Sequence, residues 1–166
     1  MYKKVMLILL GIIVSLGVLG GISLMLSYNK TSRVNLSVVN QVTVKESQLD
    51  SLYEAADDNT IYLFIYDPDN EDCIYLDEVL LRNKSIENQE ISFDKITKIT
   101  YKNTTKAYTA QKIINLYQVE TIPALVKIQK QGDKTVTLDK FEWSSSEEDN
   151  IKNLTRFLVD NKFITK

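Results

Sequence analysis

The sequence predicts an α/β domain with a mixed sheet flanked by helices, preceded by one N-terminal transmembrane helix. Three observations lead to this prediction. Residues 5–28 form an uncharged apolar run, VMLILLGIIVSLGVLGGISLMLSY. The rest of the chain alternates in the order β-α-β-α-β-α-β-β-α, which is typical of a mostly parallel sheet with helices on both faces. Its only strong chain-breaking residues are Pro68, Pro123 and Gly132, so they mark its main turns.

The apolar run is long enough to cross a bilayer, which takes about 20 helical residues. It is too long for the apolar region of a cleaved signal peptide, and no small-residue cleavage site follows it. We therefore predict a short basic N-terminus at 1–4, an uncleaved anchor at 5–28, a tether at 29–35 and one domain at 36–166. Basic residues flank the run on both sides, so the positive-inside rule does not decide its orientation. We expect the domain to lie outside the cytoplasm, because this is the common arrangement for an anchor with a short basic N-terminus. Gly17 and Gly21 form a GxxxG pair through which two anchors could dimerise.

The composition of the domain excludes several classes of function. Beyond residue 28 the chain carries 18 basic and 22 acidic residues, whereas a nucleic-acid surface needs clustered positive charge. The chain has no histidine, which rules out a Ser–His–Asp triad and histidine-ligated metals. A single cysteine forms no internal disulfide. We expect no metal, cofactor or nucleic-acid partner.

The elements follow from hydrophobic spacing. IYLFIY (61–66) is continuously apolar, as expected of a central strand covered on both faces. Leu49, Leu52, Tyr53 and Ala56 repeat at helical spacing, and Ser145 with Glu148 suggests a capping box for the last helix. Strands are predicted near 36–43 and at 61–66, 96–101, 124–129 and 135–141, and helices at 46–57, 73–83, 106–117 and 144–161. The segment 84–95 is ambiguous.

The loop between the second strand and its helix, YDPDNEDC (66–73), resembles the active-site loop of the thioredoxin-like superfamily. It aligns without a gap on the Y-x-P-x-C-x-x-C pattern of the protein disulfide isomerase branch. Tyr66, Pro68 and Cys73 match that pattern, and Asn70 stands where the first, attacking cysteine belongs.

A second segment, LYQVETIPALVKIQKQG (116–132), is similar to the family's Y-x-[IV]-x-x-[IV]-P-[TA]-L stretch. The resemblance covers roughly residues 36–162. It implies that Pro123 is the cis-proline facing the active-site loop and that Gly132 is the turn between the last two strands. It also implies that the backbone just before Pro123, at Ile122, can pair with an extended peptide.

The departures from the family pattern indicate that dithiol chemistry is lost. Thiol–disulfide exchange needs an attacking thiolate at the helix N-terminus, and Asn70 cannot attack. The acidic residues around Cys73 would raise the pKa of a neighbouring thiol. Phe64 occupies the position where the family carries a buried acid.

We therefore expect a membrane-anchored, redox-inactive module of the cell envelope that binds a peptide or protein in the groove near Ile122 and Pro123. The arrangement is similar to that of small membrane-anchored thioredoxin-like proteins of Gram-positive bacteria, some of which accompany exported peptides such as bacteriocins. The alternative is a thiol–disulfide oxidoreductase or isomerase that uses Cys73 as its catalytic thiol. A third possibility is an anchor protein whose soluble domain serves only in the assembly of a complex. Carboxylates at Asp67, Asp69, Glu71 and Glu78 copy part of a calcium-loop spacing, but Asp72 stands where that loop needs glycine.

Overall fold

The computed structural model of the protein describes residues 37–102 and 104–165. Their centre is a five-stranded sheet with the strand order β1-β3-β2-β4-β5. Its strands are β1 (Val39–Val44), β2 (Thr60–Tyr66), β3 (Phe93–Thr100), β4 (Ala124–Gln131) and β5 (Lys134–Glu142). β1 and β2 run parallel to β3, whereas β4 is antiparallel to β2 and β5 is antiparallel to β4. The predicted α/β class, with a parallel part and a closing hairpin, is confirmed.

Four longer helices lie within the described residues. They are α1 (Leu49–Ala55), α2 (71–87), α3 (Ala107–Tyr117) and α4 (Glu147–Asp160). Helix α2 is continuous, with α-helical ends at Glu71–Tyr75 and Arg82–Glu87 and a wider π-helical turn at Leu76–Leu81. It therefore continues past the predicted end near residue 83, into the segment that the sequence left ambiguous.

The central strand β2 separates two hydrophobic cores. Leu63 and Ile65 pack with Tyr53 and Tyr117 on the face covered by α1 and α3. Phe64 packs with Leu76 and the side chains of α4 on the opposite face. Because successive side chains of a strand point to opposite faces, both faces of β2 must be apolar, and the expectation of a central covered strand is confirmed.

The turn between β4 and β5 and the start of α4 test two local predictions. Gly132 has φ of +61° in that turn, a conformation that favours glycine, so the predicted turn is confirmed. The predicted cap at Ser145 is wrong, because Ser146 is the capping residue and its hydroxyl accepts the N–H of Asp149. The buried Asn150 side chain hydrogen-bonds both the N–H and the C=O of Ser144, which fixes the entry of the chain so that the cap falls one residue later.

The predicted anchor (5–28), its Gly17–Gly21 pair and the tether (29–35) lie outside the described residues. In the part of the chain that the structure describes, no helix has the length and apolar character needed to cross a bilayer.

Candidate functional site

Helix α2 begins directly after Asn70, which caps it. Asn70 has an extended backbone, and its Oδ1 accepts the N–H of Asp72 at 2.8 Å and of Cys73 at 3.2 Å. The first N–H groups of a helix have no partner within the helix, and a side-chain oxygen at the cap position satisfies them. At the position where the resemblance places the attacking cysteine, the structure therefore has the amide side chain of Asn70, which caps the N-terminus of the helix.

Cys73 lies in the first turn of α2 and is fully buried, with 0% of its surface exposed. Its Sγ accepts the main-chain N–H of Asp67 at 3.4 Å. Burial raises the pKa of the thiol to about 12; the hydrogen bond from Asp67 opposes this shift, while the negative charges of Asp67 and Asp72 add to it. At neutral pH the sulfur is therefore a protonated thiol away from solvent, whereas exchange requires an accessible thiolate.

Asp67 holds the loop together from inside. Its side chain is buried; Oδ1 accepts the N–H of Asp69 at 3.0 Å, and Oδ2 accepts the hydroxyl of Thr104 at 3.1 Å. The carboxylate that would be the first calcium ligand is therefore engaged by the loop and by the segment after β3. Across the described ranges, no three metal-ligating side chains converge.

The other matched residues of the loop have structural roles. Pro68 occupies the second position of a turn closed by the hydrogen bond from Asn70 N–H to Asp67 C=O, where proline is favoured. Tyr66 ends β2, and its ring meets that of Phe64 edge to face at 5.3 Å. Phe64 is fully buried, so an aromatic ring fills the position of the family's buried acid.

A buried ion pair that sequence reasoning missed lies beneath the same helix. Asp77, in the π-helical turn, accepts hydrogen bonds from Lys98 Nζ on β3 and from the Ser37 hydroxyl at 2.6 Å. Both charged side chains are nearly inaccessible, at 4% for Asp77 and 10% for Lys98. Lys98 Nζ also lies 5.2 Å from the centroid of the Tyr66 ring. The one signal in the sequence was an acidic residue directly after Leu76, on the apolar stripe of α2.

The segment before β4 carries the other half of the candidate site. The Ile122–Pro123 peptide bond is cis, the geometry that the resemblance implies. Trp143 N–H donates to the C=O of Pro123 at 3.0 Å, and the Thr121 hydroxyl donates to the C=O of Trp143 at 2.7 Å. These bonds hold the segment against the end of β5. Within the described residues, the main-chain N–H and C=O of Ile122 have no hydrogen-bond partner.

A small pocket brings the two halves together. It has a volume of about 190 Å³, and Asn70 and Ile122 both line it. Its other walls are Thr104, Thr105, Ala110, Ile113, Val119 and Glu120. Cys73 and Pro123 are buried behind this surface. Of the predicted site residues, those exposed to a ligand here are therefore the helix cap and the residue before the proline.

Comparisons with known proteins give the following likenesses. No family model and no curated protein matches the chain. Among solved structures it is similar to thioredoxin from Trichomonas vaginalis, with 22% identity over 76% of this chain and 98% of that one, and a TM-score of 0.42. It is similar to thioredoxin from Plasmodium falciparum, with 9% identity, 76% and 94% coverage and a TM-score of 0.41. A redox protein from Chlamydomonas reinhardtii shows 15% identity, with 71% and 34% coverage and a TM-score of 0.42.

The fold follows from the chain's own topology. A mixed sheet with helices on both faces places the start of α2 opposite a cis-proline segment that leads into an antiparallel strand. The described part of the chain therefore has a thioredoxin-like fold.

Proposed function

We propose that the chain is a membrane-anchored, extracytoplasmic thioredoxin-like protein that binds a peptide or protein partner and performs no dithiol chemistry. It would act as an accessory module of the cell envelope, associated with the export of peptides such as bacteriocins. The observation that carries the proposal is the contrast at one pocket, where Asn70 caps a helix while the main chain of Ile122 has no hydrogen-bond partner among the described residues.

Two features support the absence of redox chemistry. Asn70 has no thiol, and its side-chain oxygen is already used by two N–H groups of α2. Cys73 is buried and its pKa is raised to about 12, so the concentration of thiolate at neutral pH is negligible. An oxidoreductase acting through Cys73 alone would need the surrounding structure to open before a substrate disulfide could reach the sulfur.

Peptide binding is supported by the main chain of Ile122. An extended peptide can add to an unpaired backbone edge by exchanging N–H and C=O hydrogen bonds, which requires no particular side chain chemistry. The half-buried Ile122 side chain and the apolar wall formed by Ile113 and Val119 offer a site for one side chain of such a peptide. The uncharged run at 5–28 supports membrane attachment, and the GxxxG pair Gly17–Gly21 supports pairing of the anchors.

The test is a binding titration on the full chain in a zwitterionic detergent. Trp143 is the only tryptophan of the chain, and its main-chain N–H donates to the Pro123 C=O, so its indole belongs to a residue in direct contact with the segment and serves as the fluorescent probe. We expect extended peptides to bind saturably, and Ile122→Ala to weaken binding roughly eightfold, because half-burial of the three lost carbons contributes about 1.2 kcal/mol. Ile86→Ala is the matched control, since Ile86 is 55% exposed on α2 and lines no part of this pocket.

An insulin-reduction assay tests the alternative function, an oxidoreductase that acts through Cys73. The wild-type chain and Cys73→Ser are expected to show the same background rate. Turnover that disappears in Cys73→Ser, or the lack of any saturable peptide binding, would contradict the proposal.

A further inference from the structure

A second pocket borders the cis-proline segment on the side of Trp143. It has a volume of about 440 Å³ and lies between the first turns of α2 and α4. Its walls include the rings of Tyr75 and Trp143, which meet edge to face with centroids 6.2 Å apart. The main-chain N–H of Trp143 donates to the Pro123 C=O, so this pocket adjoins the cis-proline segment.

The charged residues that line this pocket are both carboxylates. Asp72 comes from the first turn of α2 and Glu147 from the first turn of α4, and both are exposed. Glu147 accepts the Tyr75 hydroxyl at 2.9 Å, which fixes its carboxylate at the edge of the aromatic wall. No lysine or arginine among the described residues forms an ion pair with either carboxylate.

Acidic residues on the adjoining strand, in contrast, do have basic partners. On the adjoining strand β5, Glu142 is paired with Lys140 and Asp139 with Arg156. A carboxylate in the first turn of a helix is favoured by the helix dipole alone. The dipole, however, does not require that carboxylates from two helices share one pocket with two aromatic side chains. The combination of aromatic walls and unpaired negative charge is complementary to a cationic amphipathic side chain.

We propose that this pocket receives a lysine or arginine side chain of the bound partner, so that the partner is a cationic extended peptide segment. The aliphatic stem would lie against Tyr75 and Trp143, and the charged end would reach Asp72 and Glu147. The apolar wall of the small pocket, formed by Ile113, Val119 and Ile122, would take a neighbouring apolar side chain of the same segment. This inference rests on the proposed peptide-binding function and adds the chemical class of the peptide.

The experiment uses three peptides of equal length and identical apolar residues, with lysine, glutamine or glutamate at the remaining positions. The full chain in zwitterionic detergent is titrated with each peptide while Trp143 fluorescence is followed. We expect the lysine peptide to bind about tenfold more tightly than the glutamine peptide at low salt, since each of two exposed ion pairs contributes about threefold. The preference should shrink as salt is added, because salt screens exposed charges.

Variants assign the preference to the pocket. The double variant Asp72→Asn/Glu147→Gln should bind the lysine and glutamine peptides with nearly equal affinity. Glu148→Gln is the matched control, because it removes an exposed charge from the same turn of α4 but does not line the pocket. Circular dichroism melts of the variants check that each one is folded.

The outcomes separate this inference from the function on which it rests. Equal binding of the lysine and glutamine peptides by the wild-type chain overturns the cationic preference and leaves peptide binding intact. A preference that persists in the double variant overturns the assignment to Asp72 and Glu147. Failure of all three peptides to bind overturns the proposed function itself.

Discussion

The start of helix α2 and the segment before β4 line the same small pocket, but their polar groups are used in opposite ways. At the helix start, Asn70 caps α2, and the Cys73 sulfur and the Asp67 carboxylate both have partners inside the fold. At the segment, the main chain of Ile122 is left without a partner among the described residues. Exchange chemistry depends on one accessible thiolate and is lost when one side chain changes. Backbone pairing depends on unpaired N–H and C=O groups, so it can survive that loss.

The largest expected effect concerns the reactivity of the buried Cys73 thiol at the start of α2. With a pKa of about 12, the thiolate fraction of Cys73 at pH 7 is about 10³-fold smaller than that of an ordinary exposed thiol. We expect native Cys73 to react with iodoacetamide more slowly than an exposed cysteine by at least that factor, and the rate to rise with pH without a plateau below about pH 12. Intact-mass measurements at timed intervals give the rates.

The matched control is the double variant Cys73→Ser/Ser145→Cys, whose thiol is at an exposed position in the lining of the pocket that Tyr75 and Trp143 form. Unfolding the wild-type chain in urea should bring its rate up to that of this control. Equal alkylation rates in the two native proteins would show that the Cys73 sulfur is accessible to solvent.

The next largest effect concerns the ion pair beneath α2. Lys98→Met leaves the Asp77 carboxylate buried without its cation, and losing one partner of such a pair costs about 3–5 kcal/mol of unfolding free energy. The double variant Asp77→Leu/Lys98→Met should recover most of this loss, because it removes both charges. Urea denaturation of the three proteins measures the difference. A single variant as stable as the wild type would mean that the pair is solvated in solution.

The smallest effect concerns the cap itself. Asn70→Ala should lower the unfolding free energy by about 1 kcal/mol, because two N–H groups of α2 lose their acceptor. Asn70→Asp should stay within a few tenths of a kcal/mol of the wild type, because aspartate caps about as well as asparagine. Thermal and urea unfolding measure both variants. If Asn70→Ala were as stable as the wild type, the residue would not be held in place by capping.

Much of the fold could be predicted because each segment carries its own periodicity. IYLFIY required two covered faces, and the structure places Leu63 and Phe64 in opposite cores. The cap of α4 was placed one residue early, since the S-x-x-E spacing at Ser145 does not show that the buried Asn150 fixes Ser144. Local patterns describe a helix end only when no distant side chain competes for it.

The candidate site was predictable only in part. Asn70 in place of a cysteine was visible in the sequence, but its role as a cap depends on where α2 begins. Asp77 and Lys98 are 21 residues apart and meet only when α2 packs on β3. Tyr75 and Glu147, which form one wall of the second pocket, are 72 residues apart.

The sequence by itself determined the apolar run at 5–28, the order of strands and helices, and the absence of a second thiol, because each of these is a property of residue type and local spacing. Only the tertiary structure decided that Cys73 is buried, that the backbone of Ile122 has no partner in the described part of the chain, and that Asp72 and Glu147 share a pocket with Trp143. Those properties depend on which elements pack together, and packing brings together residues that are far apart in the chain.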